Sequence, residues 1–376
     1  MLVYLDNSAT TKPCAEAVAA AAAAMETLWG NPSSLHSLGL EAGRAVKKAR
    51  QQVAAALGAE EERVFFTSGG TEADNWAILS ATERLKKRGN HIITTAVEHH
   101  AVLAPMQKLA QQGFEVTFLA PDGEGRVGLD ALRAALRPDT ILVSVMTVNN
   151  ETGAVMPIEA MAKLTHRLAP NALFHTDAVQ GFFHVPLRAQ SLGVDLLSVS
   201  GHKVHALKGV GALYIRRGLQ LPPYLLGGGQ ETGLRSGTEA VPAILSFGAA
   251  CAAAQPTAAR DMQRMRELTA GLREQLAALP EVRLLGPVDS PHIVCLSVPG
   301  VRSQGLINCL QEEGVYVSAG SACARGHRSH VLEAMGIAPE LIDGAIRLSL
   351  GRFSTEAELS RCVQALRNAI ARLLRE

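Results

Sequence analysis

Residues 64–71 read VFFTSGGT, and residues 195–203 read DLLSVSGHK. Each is a short apolar run that ends in small polar residues. Similar runs recur between residues 63 and 216, separated by helix-like segments such as Thr71–Lys87 and Ile158–Leu168. The predicted strands are Val64–Thr67, Ile92–Val97, Val116–Leu119, Ile141–Val148, Ala172–Thr176, Asp195–Val199 and Val210–Ile215. Strand–helix alternation of this kind predicts an α/β domain with a mostly parallel sheet covered on both faces.

The pattern changes beyond residue 256. A Gly-rich polar segment, Gly227–Thr238, is followed by an Ala-rich helical stretch that Pro256 should bend or interrupt. The strands predicted after it are Val282–Leu285, Ile293–Val298 and Ala345–Leu350, with helices grouped between them. We therefore expect a large α/β domain over residues 13–256. A smaller α+β domain is expected over residues 257–376, together with residues 1–12.

Length, charge and composition exclude several classes of protein. The chain has 376 residues, with 36 Lys+Arg against 35 Asp+Glu and a net charge of +1. This balance provides no basic field for direct nucleic-acid binding. The longest apolar stretch, Ala17–Met25, is far shorter than the ~20 residues of a membrane span. Asp6 and Asn7 close to Met1 argue against a secretory signal.

The cysteine pattern indicates a reducing compartment. The cysteines are Cys14, Cys251, Cys295, Cys309, Cys323 and Cys362, and no two form a CxxC pair. Scattered thiols in a long chain fit a cytoplasmic protein, and most should be small buried residues. No metal site is predicted, because adjacent side chains such as His99 and His100 rarely point at one ion.

Polar residues follow five of the predicted strands of the large domain. They are Ser68-Gly69-Gly70-Thr71, Glu98-His99-His100, Asn149-Asn150-Glu151, Asp177 with Gln180, and Ser200-Gly201-His202-Lys203. In an open parallel sheet the carboxyl ends of the strands share one edge, where ligands bind. Taken singly, the Ser68–Thr71 segment could be a helix cap and Lys203 a surface charge. Their predicted convergence favours a binding site.

The residue types at this edge match the needs of pyridoxal phosphate. The cofactor requires a Lys for a Schiff base and an acid that keeps its pyridine nitrogen protonated. It also requires a phosphate cup, which Gly-rich backbone at a helix N-terminus provides, and a donor to its phenolic oxygen. We therefore expect a pyridoxal-phosphate enzyme.

Motifs along nearly the whole chain carry a family resemblance. They are YLDNSATT (4–11), GNPSSLH (30–36), TSGGTEADN (67–75), VEH (97–99), NNETG (149–153), HTDAVQ (175–180), SGHK (200–203), GGGQETGLRSGTE (227–239), SAGSAC (318–323) and RLSLGR (347–352). The sequence resembles the NifS/IscS branch of the cysteine desulfurases, within the class V aminotransferases and the fold-type I (aspartate aminotransferase-like) pyridoxal-phosphate enzymes.

The resemblance implies a role for each matching residue of the cofactor site. Lys203 would form the Schiff base and move the Cα proton, Asp177 would pair with the pyridinium nitrogen, and His99 would stack on the ring and assist proton transfer. The remaining cofactor contacts implied are Asn150 and Gln180 at the phenolic oxygen, and Gly70, Thr71, Ser200 and His202 at the phosphate. Thr238 would reach the phosphate of the other subunit, which implies a homodimer.

The resemblance also implies the substrate and the nucleophile. Arg347, with Asn31 assisting, would bind the carboxylate of L-cysteine, and alternation within Ala345–Leu350 independently places Arg347 opposite the apolar face of a strand. Cys323 would attack the substrate sulfur, and nearby basic residues such as Arg325 should favour its thiolate. The products would be alanine and a persulfide on Cys323. Its sulfur would pass to an acceptor protein in iron–sulfur cluster assembly or tRNA thiolation.

Other activities on the same fold remain open from the sequence. They are selenocysteine lyase, cysteine sulfinate desulfinase and a plain aminotransferase, the last of which would not need Cys323. A non-catalytic sulfur carrier is disfavoured because Lys203, Asp177 and Cys323 are all present.

Overall fold

The computed structural model describes residues 2–319 and 328–375. The strands are β1 (Val3–Tyr4), β2 (Val64–Thr67), β3 (His91–Thr95), β4 (Glu115–Leu119), β5 (Thr140–Ser144), β6 (Leu173–Asp177), β7 (Leu196–Ser200), β8 (Gly211–Ile215), β9 (Arg283–Leu285), β10 (Ile293–Ser297), β11 (Val315–Tyr316), β12 (Ser318–Ala319) and β13 (Ala345–Ser349). The α-helices are α1 (Ala15–Thr27), α2 (Ser37–Leu57), α3 (Gly70–Leu85), α4 (His100–Gln111), α5 (Leu129–Ala135), α6 (Ile158–Leu168), α7 (Ala189–Leu192), α8 (Val241–Ala254), α9 (Ala258–Ala277), α10 (Ser303–Glu312), α11 (His330–Ala334), α12 (Pro339–Asp343) and α13 (Glu356–Leu373).

A seven-stranded sheet forms the large part of the molecule, in the order β2-β8-β7-β6-β5-β3-β4. Strands β3 to β7 pair in parallel, and β8 is antiparallel to β2 and β7. Both faces of the sheet are buried. On β3, Ile92 packs in a cluster with Trp76 of α3, whereas its neighbour Ile93 packs in another with Met161 of α6. The predicted α/β class and mostly parallel sheet are confirmed.

A smaller sheet lies in the C-terminal part of the chain. Its strands run in the antiparallel order β12-β13-β10-β9, and β1 pairs in parallel with β11. A separate apolar cluster joins Val3 and Leu5 to residues between 272 and 370. The division of the chain at residue 257 stays a prediction.

One helical segment within the described residues, Val241–Ala277, is long and apolar enough to cross a membrane by length and composition alone. It consists of α8, a 3-10 turn at Gln255–Thr257 and α9, so Pro256 interrupts the helix as predicted. Helix α8 packs against α1 and α2 and buries Phe247 and Cys251 completely. Core helices of this composition pass the same test, so the segment is weak support for a membrane span.

Candidate active site

A cavity of about 280 Å³ lies at the carboxyl edge of the large sheet. The predicted site residues that line it are Gly70, Thr71, His99, Asn150, Asp177, Gln180, Ser200, His202, Lys203 and Arg347. Among the described residues, Asn31 and Thr238 are exposed and do not line it. Cys323 lies outside the described residues. The parallel strands therefore bring most of the predicted set together.

One end of the cavity suits an anion. Helix α3 begins there at Gly70, and the N–H groups of a helix's first turn lack intrahelical acceptors. A Cβ atom on Gly70 would lie 2.7 Å from Cγ2 of Val179, so a side chain would crowd this end. The hydroxyl of Ser200 is buried and has no hydrogen-bond partner among the described residues. Burial, and then the charge of Lys203, lower the pKa of His202 to about 4, so its imidazole is neutral.

A buried carboxylate faces the middle of the cavity. Asp177 ends β6, and its Oδ1 accepts a hydrogen bond from the N–H of Val179 at 2.8 Å. Burial raises the pKa of Asp177 to about 6, opposed by the charge of Lys203. Asp74 also lines the cavity, and burial followed by the charge of Asp177 raises the pKa of Asp74 well above its usual range. A cationic partner in the cavity would therefore stabilise the ionised form of Asp177.

The imidazole of His99 lines the same cavity and has a fixed orientation. His99 is the N-cap of α4, and its Nδ1 accepts a hydrogen bond from the N–H of Ala101 at 3.1 Å. The proton of the neutral ring is therefore on Nε2. Burial, followed by the charge of Lys203, lowers the pKa of His99 to about 4. His99 thus presents a neutral ring of fixed orientation.

The amine of Lys203 contacts the N-terminal segment. Its Nζ donates hydrogen bonds to the carbonyl of Ser8 and, at 2.9 Å, to that of Ala9. The side-chain amide of Gln180 donates to the same Ser8 carbonyl at 2.9 Å. Ser8 and Ala9 line the cavity but were not predicted as site residues, although they belong to the motif 4–11. The presence of Ser8 and Ala9 in this motif was the feature of the sequence that could have identified them as site residues.

Arg347 lies on β13 and is 2% exposed. Its Nη1 donates to the carbonyl of Asn150 at 2.8 Å, and its Nη2 donates to Oδ1 of Asp6 at 2.9 Å. The Nε atom is buried without a partner among the described residues. The neighbours Ile346 and Leu348 pack in the core of the smaller sheet, as the alternation predicts. An Arg held this way has N–H groups left for a carboxylate.

The described cysteines are poor candidates for a nucleophile. Cys14, Cys251, Cys295, Cys309 and Cys362 are all buried. Burial raises the pKa of Cys295 and of Cys362 to about 12, and raises that of Cys251 well above its usual value. A thiol with such a pKa is almost never a thiolate at neutral pH.

Comparisons with known proteins agree with the family resemblance found in the sequence. A family model described as aminotransferase class-V matches residues 3–362. The chain belongs to this family. Cysteine desulfurase 2 of Trichormus variabilis is 42% identical to this class-V aminotransferase, over 99% of this chain and 94% of the relative. A solved structure described as a NifS-like protein has a TM-score of 0.94 and 37% identity, covering 99% of this chain and 100% of its own. Another solved structure, described as SspA in complex with cysteine, has a TM-score of 0.81 and 30% identity. The match covers 94% of this chain and 100% of the SspA chain.

These matches confirm the resemblance to the NifS/IscS cysteine desulfurases and the fold-type I architecture. Membership of this class-V aminotransferase family implies pyridoxal phosphate as the cofactor class. The unpartnered Ser200 hydroxyl, the N–H groups at the start of α3 and the buried Asp177 carboxylate fit that group.

Proposed function

We propose that the protein is a pyridoxal-phosphate-dependent cysteine desulfurase. It would convert L-cysteine and the thiol of Cys323 into L-alanine and a Cys323 persulfide. The observation that carries the proposal is the meeting of Lys203, Asp177 and Arg347 in one cavity. An amine, a buried acid and a guanidinium are the groups that this chemistry needs for cofactor attachment, ring protonation and carboxylate binding.

The cofactor contacts would divide by position in the cavity. Gly70, Thr71, Ser200 and His202 would hold the phosphate, and Asn150 with Gln180 would hold the phenolic oxygen. Asp177 would keep a proton on the ring nitrogen, and His99 would lie against the ring. Thr238, exposed on this chain, would complete the phosphate site of the partner subunit in a homodimer.

Each remaining step is assigned to a residue of this chain. Arg347 would bind the substrate carboxylate, and Nζ of Lys203 would take the proton from Cα. Bound pyridoxal phosphate would accept the electron pair that this proton leaves behind. The thiolate of Cys323 would then attack the substrate sulfur, so that an S–S bond forms as the C–S bond breaks. An acceptor protein, an iron–sulfur scaffold or a thiolation enzyme of the cytoplasm, would remove the sulfur.

Both ends of the segment that contains Cys323 lie beside the cavity. On one side, Ser318 of β12 pairs with Arg347 of β13. On the other, His330 lines the cavity itself. Cys323 is four residues from Ala319 and six from Ser329, and a chain of six residues spans at most about 20 Å. This supports access of the thiol to a substrate held by Arg347.

Replacement of Cys323 tests the proposal. In the presence of a thiol reductant such as dithiothreitol, which frees the persulfide sulfur as sulfide, Cys323→Ser should keep the visible absorbance of the loaded protein and its response to L-cysteine, but should release no sulfide. Cys309→Ala, at a buried thiol of α10, is the control and should retain sulfide release. Sulfide release at the wild-type rate from Cys323→Ser would refute the nucleophile. With the same reductant present, that variant should still form selenide from selenocysteine, because selenium can leave without a protein thiol and the reductant then supplies the two electrons.

A further inference from the structure

Besides Asp177 and Asp74, a third buried acid, Glu151, lines the cavity and has no role in the proposed reaction. Glu151 is 2% exposed, and its Oε2 accepts a hydrogen bond from the hydroxyl of Ser329. Ser329 is the second described residue after segment 320–327. We infer that Glu151 is a positioning residue that fixes the C-terminal end of this segment at the cavity. The inference rests on the proposed function, since the segment contains Cys323.

The turn that carries Glu151 is held rigidly. Oδ1 of Asn149 accepts hydrogen bonds from the N–H groups of Glu151 and Thr152, both at 2.9 Å. Nδ2 of Asn149 donates to the carbonyl of Val97 at 2.9 Å. Gly153 adopts a φ of 78°, where a larger residue would be strained. The backbone of Glu151 is thereby fixed relative to the large sheet.

The same turn fixes the residue proposed to bind the substrate. The carbonyl of Asn150 accepts the hydrogen bond from Nη1 of Arg347 at 2.8 Å. Adjacent residues of one turn therefore contact Arg347 and Ser329. This connection would hold Ser329 at a fixed position relative to Arg347, and so relative to the substrate carboxylate that Arg347 is proposed to bind.

Other contacts besides that between Glu151 and Ser329 also hold the residues that follow segment 320–327. The Ser329 hydroxyl accepts a hydrogen bond from the N–H of Leu332 at 3.1 Å and so caps α11. Nε2 of His330 lies 3.0 Å from the carbonyl of Glu98, and the buried side chain of Leu332 packs in the large core. Arg328 pairs with Asp343 at 2.7 Å, but this pair is exposed and contributes little. Glu151 is the carboxylate that holds this end from inside the cavity.

The test compares Glu151→Ala with Glu151→Gln, which keeps an acceptor oxygen. Glu333→Ala, which removes an exposed carboxylate from the same helix, is the control. In a single turnover, Glu151→Ala should slow persulfide formation on Cys323 by about 10- to 100-fold, the effect of leaving the buried Ser329 hydroxyl without its hydrogen-bond acceptor. Its absorbance response to L-cysteine should stay within about twofold of wild type. Glu151→Gln should recover most of the persulfide rate. If Glu151→Ala slowed the absorbance response to L-cysteine as much as it slowed persulfide formation, the inference would be overturned.

A second measurement separates this inference from the proposed function. Trypsin cleavage after Arg328 in the resting protein should be faster in Glu151→Ala than in wild type and Glu333→Ala, because the Ser329 contact is lost. Unchanged cleavage would overturn the positioning role. Faster cleavage combined with the absence of any persulfide on wild-type Cys323 would instead keep the anchor and refute the desulfurase reaction.

Discussion

Removal of the Arg347 guanidinium should weaken recognition of the substrate carboxylate specifically. Two of its five N–H groups are occupied by Asn150 and Asp6, which leaves three, including that on Nε. Two charge-assisted bonds to a carboxylate at about 1.5–3 kcal/mol each would stabilise the bound substrate by about 3–6 kcal/mol. At 1.36 kcal/mol per tenfold, Arg347→Ala should lower kcat/KM for L-cysteine by about 10²- to 10⁴-fold.

The assay compares L-cysteine with cysteamine, which lacks the carboxylate. Sulfide release gives kcat/KM for L-cysteine, and the absorbance change of the loaded protein gives the affinity for both amines. Arg347→Ala should weaken L-cysteine binding and leave cysteamine binding within about threefold. Asp6→Asn is the control for the ion pair, because it removes the charge of the Arg347 partner while keeping the guanidinium. An equal loss for the two amines would refute carboxylate binding by Arg347.

Three further changes test the cofactor site and the buried acids. Lys203→Ala should lower sulfide release by about 10²- to 10⁴-fold, and borohydride reduction of the loaded wild-type protein should attach the cofactor to Lys203, as read by peptide mass spectrometry. Gly70→Ala should weaken cofactor retention in an absorbance titration, because the new Cβ lies 2.7 Å from Val179, whereas Gly271→Ala has nothing within 4 Å and serves as the control. Burial raises the pKa of Glu98 from 4.5 to about 8, so the folded protein keeps a proton that the unfolded chain releases, and the free energy of unfolding should fall as pH rises from 4.5 to 8. Urea titrations of Glu98→Gln should show a smaller fall of the free energy of unfolding over this pH range. The same pH dependence as in the wild type would contradict the raised pKa of Glu98.

The sequence predicts the strands well where apolar residues and sheet pairing coincide. The predicted bounds of β2 and α6 match the structure, and those of β3 and β7 differ by a residue or two at their ends. The expected strand Ile141–Val148 is wrong at its C-terminal end, because β5 ends at Ser144. Val145 and Val148 are nevertheless buried in the core. Apolar periodicity reports burial, and it cannot show where a buried chain leaves the sheet.

Most of the cavity was predictable because its residues directly follow apolar strands. The parts missed depend on contacts between distant segments, which local patterns do not encode. Lys203 contacts Ser8 across 195 residues, and Glu151 contacts Ser329 across 178. The predicted roles of Asn31 and Thr238 also depend on distant contacts, and within one described chain neither residue reaches the cavity.

The charge states in the cavity limit how protons can move there. Burial, followed by the charge of Lys203, lowers the pKa of His99 to about 4, so its imidazole is neutral at pH 7. His99 therefore presents a neutral ring at neutral pH, and the proton-transfer role that the family resemblance implies for it stays a prediction. Lys203 and Arg347 are the Lys and Arg side chains that line the cavity among the described residues, and Arg347 cannot release a proton at neutral pH. Of these two side chains, we therefore propose the amine of Lys203 as the group that takes the substrate Cα proton.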